Sequence, residues 1–249
     1  MWQKIHDLFN SRVTDTNLKD EFNLFHRSVA QKLWSTRHYL DELKSLNTDK
    51  FNEKYLVLPL QNTTQSTNKP TITQPSFLDI EGYCLDFNRI LDGFFMNSMS
   101  ALDTLAHQIS TIYYFPAEEF DGDRIYISGI RKAFPKYHPN SEVGVLLDSR
   151  LKQHWFTEFA PFRHCTTHES LIPYDVSAQY DMISQRWLPP DIKLPENPKV
   201  RPPQQIRNRE PVAFCQTIFD NIESLLNEIY EAILIDIRNN KDNLPIGKP

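Results

Sequence analysis

Residues 159–170, Phe-Ala-Pro-Phe-Arg-His-Cys-Thr-Thr-His-Glu-Ser, gather more side-chain chemistry than any other stretch of this 249-residue chain. Arg163 carries a permanently charged guanidinium, and an imidazole such as that of His168, with an ordinary pKa of about 6.5, exchanges a proton near neutrality. The combination suits phosphodiester cleavage, because arginine holds the negative charge that develops on the phosphoryl oxygens while histidine moves a proton. RNA brings its own nucleophile, the 2′-hydroxyl, so no metal and no cofactor are required. Five positions along an ideal helix turn through about 500°, which leaves Arg163 and His168 about 140° apart. A straight helix therefore does not align them, and a helix start or a second protomer must complete the cleft. Structural alternatives stand beside this reading: Arg163 could pair with Asp103 or Glu158, and His168 could be a surface histidine. His164 and His168, at i and i+4, do share a face, with Cys165 or Glu169 nearby, but without the H-E-x-x-H pattern the metal reading is the weaker one.

Charge distribution gives the motif a setting. The whole chain carries a formal −5, yet between residues 124 and 168 the basic Arg124, Arg131, Lys132, Lys136, Arg150, Lys152 and Arg163 outnumber the acidic Glu142, Asp148 and Glu158. Half the histidines also fall there (His138, His154, His164, His168). Clusters of Lys and Arg arise on helical surfaces by chance; the functional alternative is a strip for RNA or nucleotide phosphate, with Lys132 and Lys152 as binding candidates.

Composition removes competing classes. Only six glycines occur, so no G-x-G-x-x-G, no G-x-x-x-x-G-K-[ST] and no G-x-S-x-G can be written. A phosphate must be held by side chains. Cys84, Cys165 and Cys215 are odd in number and widely spaced, which argues against a disulfide framework and fits a reducing compartment. No stretch approaches the roughly 18 apolar residues of a membrane span, and the expectation is a cytoplasmic protein with no membrane contact.

Proline placement marks where long helices can stand, since a proline inside one costs about 3 kcal/mol. The proline-free windows 1–58, 76–115, 140–160 and 212–244 each carry a helical period. Leu18, Phe22, Phe25, Val29, Leu33, Leu40, Leu43 and Leu46 predict an amphipathic helix over about 17–47. Phe94, Phe95, Leu102, Leu105 and Ile109 belong to the widest apolar face and predict the central helix, about 81–115. Pro211, behind Glu210 or Arg209, opens a helix over about 211–238 whose stripe includes Leu225, Ile229 and Ile233. Val143, Leu147, Leu151 and Trp155 suggest a helix near 141–157 that breaks or kinks before Pro161, with a further short helix about 161–170. The Thr-rich stretch 61–76 reads as a surface loop, and the proline-dense 171–210 as extended chain with a small hairpin. The expected architecture is a single all-α domain: bundle helices 17–47, 81–115, 141–170 and 211–238, with insertions at about 56–80 and 171–210.

The run Arg163-His164-Cys165-Thr166-Thr167-His168 resembles the R-x(4–6)-H motif of the HEPN superfamily, all-α proteins that include metal-independent ribonucleases of toxin–antitoxin and phage-defence systems. Phe94 to Ala106 is similar to the long central helix of such proteins, and Trp155-Phe156 followed by Phe162-Arg163 resembles the aromatic run into their motif. The resemblance extends over about 81–170 and 211–238. It implies a four- or five-helix bundle, a homodimer, catalysis by Arg163 and His168, a site lined by His164, RNA as substrate, and a cognate antitoxin as a further partner; Asp103, Lys132 and Lys152 join the site candidates from pairing and charge. Two positions depart from the pattern. His164 stands where Asn or Asp usually follows the arginine, and Ser170 stands where some toxins carry the tyrosine that a nucleotidyl-transferring antitoxin modifies. Many superfamily members bind or scaffold without cutting, so a catalytically silent interaction or nucleotide-binding module is the alternative.

Overall fold

The computed structural model describes residues 2–46, 48, 50–57, 77–120, 124–168, 172–184, 186–200, 207–240 and 244–246. Three long helices dominate it. Asp15 opens α2 (Thr16–Ser45) by accepting from the backbone N–H groups of Asn17 and Leu18, and Asp79 opens α4 (Ile80–Tyr113) by accepting from Gly82. α8 (Pro211–Asn239) begins at Pro211, with the Glu210 carboxylate accepting from Val212 and Ala213. Proline fits there because the first helical N–H has no intrahelical partner.

These three helices pack on one another around one core. Phe94, Phe95, Leu102, Leu105, Ile109, Leu225, Ile229 and Ile233 are all fully buried in it. Fully burying an aromatic or branched side chain contributes about 1.5–3 kcal/mol, so facing stripes of this length hold the bundle together. α2 approaches α4 closely at Gly93, where an added Cβ would lie 2.4 Å from the Tyr39 ring. Any larger residue there would have to push the outer end of the Tyr39 ring aside.

Shorter elements fill the flanks. α1 (Trp2–Arg12) is a helix that the apolar periodicity did not bring out; it buries Ile5 and Phe9. α3 (Lys50–Tyr55) precedes β1 (Leu56–Val57), which pairs antiparallel with β2 (Phe77–Leu78). The stretch read as a Thr-rich loop, 61–76, lies outside the described residues. α5 (Ile127–Tyr137) contains Pro135 in its last turn. The 141–157 expectation resolves into α6 (Glu142–Arg150) and α7 (His154–His168). Gln153 organises the junction: its backbone N–H donates to Arg150 O, and its side-chain oxygen accepts from Arg150 and the Trp155 indole. α7 continues through Pro161 without ending, flanked by the fully buried Phe159 and Phe162. Proline removes one backbone donor, and the burial of its aromatic neighbours offsets that loss.

Between α7 and α8 the chain is extended. β3 (Asp175–Ser177), β6 (Asp191–Pro195) and β7 (Arg207–Arg209) form an antiparallel sheet in that order, and β4 (Tyr180–Asp181) pairs with β5 (Arg186–Trp187). Ile192 and Leu194 turn inward onto the bundle. Arg209 ties this sheet to α7 and α8: its guanidinium lies 4.1 Å over the Phe214 ring and pairs with Glu158.

Candidate functional site

The groove in front of Arg163 is built mainly from one face of α4. Met96, Met99, Ser100, Asp103, Thr104 and His107 recur at helical spacing and line an open depression of about 340 Å³, which Arg163 of α7 closes from the other side. Phe95 sits one turn below, stacked on Phe162 at 5.1 Å between ring centres. This packing fixes α7 against α4 at the residue before Arg163.

Arg163 faces Asp103, with Nη2 and Oδ2 3.8 Å apart, and neither side chain is more than a quarter exposed. Asp103 also accepts weakly, at 3.4 Å, from the backbone N–H of Ile127, the first residue of α5. Tyr126, which precedes that helix, provides no side-chain cap. Burial outweighs both contacts and pushes the Asp103 carboxyl up to about 6. The groove thus holds a permanent cation beside a carboxyl that changes charge close to neutrality.

His107 stands one turn along α4 from Asp103 and stacks on Phe25 of α2, with ring centres 5.0 Å apart. It belongs to no sequence motif and lies far from residues 159–170, where the chemistry of the chain is densest. The available signal was the i, i+4 relation between Asp103 and His107 on a helix already expected to be central.

The other expected site residues divide. His164 is half-buried on α7, next to Arg163 in sequence but outside the set that lines the groove. His168 is the last residue of α7, and its side chain lies outside what the structure describes. Lys152 extends from the α6–α7 junction into solvent and pairs with Asp148 at 2.7 Å. Lys132 is exposed on α5. Glu158, weighed as a partner for Arg163, instead pairs with Arg209 and with His154. Among the described residues no three His, Cys, Asp or Glu side chains cluster closely enough to hold a metal ion. Cys165 is buried, and Glu169 lies outside the described residues.

A second histidine cluster lies deeper. His26 Nδ1 is 3.0 Å from the Gln108 amide, which accepts from the Tyr230 hydroxyl, and Trp2 and His6 pack against the same ring. Burial pulls His26 down to about 4, so its imidazole is neutral at physiological pH. This cluster ties α1, α2, α4 and α8 together.

No helix of the described residues is long and apolar enough to cross a membrane. No family model, curated protein or solved structure matches this chain.

Proposed function

We propose that this chain is a HEPN-type, metal-independent endoribonuclease working on RNA as a cytoplasmic homodimer, with a cognate antitoxin as a further partner. The observation that carries the reading is the open groove in which Arg163 faces a carboxyl of raised pKa. Arg163 lines the open groove with Asp103 3.8 Å away, so a phosphate bound there meets a guanidinium. Met96 and Met99 supply adaptable apolar surface for a base. Arg163 steadies the phosphoryl oxygens, and His168, five residues on at the end of α7, acts as general acid or base. His164 stands beside Arg163 on α7, outside the groove lining, while Lys132 and Lys152 add positive charge along the RNA backbone.

The test is cleavage of single-stranded RNA in EDTA. Wild-type protein should release 2′,3′-cyclic phosphate ends, and Arg163→Ala and His168→Ala should each lower the rate by about 10²–10⁴ while melting as the wild type does. The same ion pair also suits a silent nucleotide-binding module, in which Arg163 simply ties α7 to α4. Wild-type protein that binds RNA and cuts none would establish that second reading.

A further inference from the structure

Cleavage of RNA by its own 2′-hydroxyl moves two protons in opposite senses. The bond from the 2′-oxygen to phosphorus forms as the bond from phosphorus to the 5′-oxygen breaks. One proton leaves the 2′-oxygen for a base, and one is delivered by an acid to the departing 5′-oxygen, giving a 2′,3′-cyclic phosphate and a 5′-hydroxyl with no oxidation. Arginine, with a pKa above about 12, performs neither transfer at neutral pH. His168 accounts for one of them, which leaves the other without a group.

We propose that His107 contacts the scissile phosphodiester from the α4 side of the groove and carries the second proton transfer. The inference rests on the ribonuclease reading for the chemistry and on the groove alone for the contact. His107 and Arg163 line the same depression from two different helices. Asp103 stands between them, one helical turn from His107 and paired with Arg163. The Phe25 ring stacks on the imidazole and fixes its plane where it lines the groove. A phosphodiester drawn to Arg163 therefore meets an imidazole on the same chain, and the phosphate contact itself needs no partner protomer.

Two measurements test this. In the first, the dinucleoside monophosphate of deoxythymidine, a phosphodiester without a 2′-hydroxyl, is titrated into wild-type protein while the histidine ring resonances are followed by NMR. The His107 signal should shift with saturation, and the shift should vanish in Arg163→Ala. In the second, His107→Gln, which keeps a flat polar side chain against Phe25, should cut RNA at least about 100-fold more slowly than wild type at an unchanged melting temperature. A His107 resonance that stays still while other histidines move, or a His107→Gln protein that cuts at the wild-type rate, overturns the proposal. A shifting His107 in a wild-type protein that cuts no RNA upholds the phosphate contact and overturns both the ribonuclease reading and the proton transfer that rests on it.

Discussion

Asp103 and Asp236 both reach between helices to the start of another helix, and they end in opposite situations. Asp236, on α8, is buried and accepts from the Tyr113 hydroxyl, the Ser141 hydroxyl and the backbone of Glu142, the last two at the N-terminus of α6. Its oxygens are filled by short bonds, 2.6 Å to each hydroxyl. Asp103 meets the first N–H of α5 at 3.4 Å and a guanidinium at 3.8 Å, beside an open groove. A carboxylate with its lone pairs satisfied holds a fold together; one that is desolvated yet loosely bonded stays available to a proton or a ligand.

The comparison can be broken most forcefully at Asp236. Asp236→Ala leaves the Tyr113 and Ser141 hydroxyls and the first turn of α6 without their acceptor, so unfolding in urea should report a loss of about 3–5 kcal/mol. A loss below about 1 kcal/mol would mean that the bonds are replaced by water and that the contrast with Asp103 is false.

At Asp103 the expected effect is smaller and depends on pH. Its folded-state pKa of about 6 lies above the ordinary carboxyl value of 3.8, so the folded state binds the proton more tightly than the unfolded chain does. The resulting stabilisation is complete below about pH 4 and is lost as pH rises through about 6. Wild-type stability should fall by roughly 2 kcal/mol across that window on account of this group. Asp103→Asn should flatten the slope while remaining folded at pH 7.5, which urea titrations at pH 4, 5, 6 and 7.5 would reveal. An unchanged slope in the variant would remove Asp103 as its source.

Lys152 gives the smallest effect and sharpens the contrast between groove and surface. Its bond to Asp148 is an exposed i, i+4 pair, worth about 0.3–0.5 kcal/mol. Lys152→Gln should therefore melt as wild type does, weaken RNA binding a few-fold at low salt, and lower the salt dependence of that binding by about one phosphate contact. Filter binding at two salt concentrations measures both.

The long helices were readable because each repeats an apolar residue every three or four positions over many turns, and Asp15, Asp79 and Pro211 supply conventional starts. α1 was missed although Trp2, Ile5, Leu8 and Phe9 repeat at helical spacing, because that stripe runs for only about two turns before the far longer one of α2. α5 and the middle of α7 were hidden by Pro135 and Pro161. A proline reports the loss of one hydrogen bond, whereas the decision to continue a helix is made by buried neighbours such as Phe134, Phe159 and Phe162. Of the candidate site, Arg163 and its Asp103 partner could be named from sequence alone. The place of His107 was only half legible: its i, i+4 spacing from Asp103 puts the two on one face of α4, but which way that face turns depends on how α4 is rotated against α2 and α7.

The Asp236 bonds also set an order of assembly. Ser141 is made 95 residues before Asp236, and Tyr113 lies 123 residues before it. During synthesis α6 therefore leaves the ribosome with only the Ser141 hydroxyl capping its first turn, at Gly144, and the tyrosine near the end of α4 has no carboxylate to meet. Only when α8 has emerged can that junction close. A nascent chain stalled in the strands between α7 and α8 already contains Arg163, Asp103 and His107, but it lacks the helix that clamps α4 and α6 together.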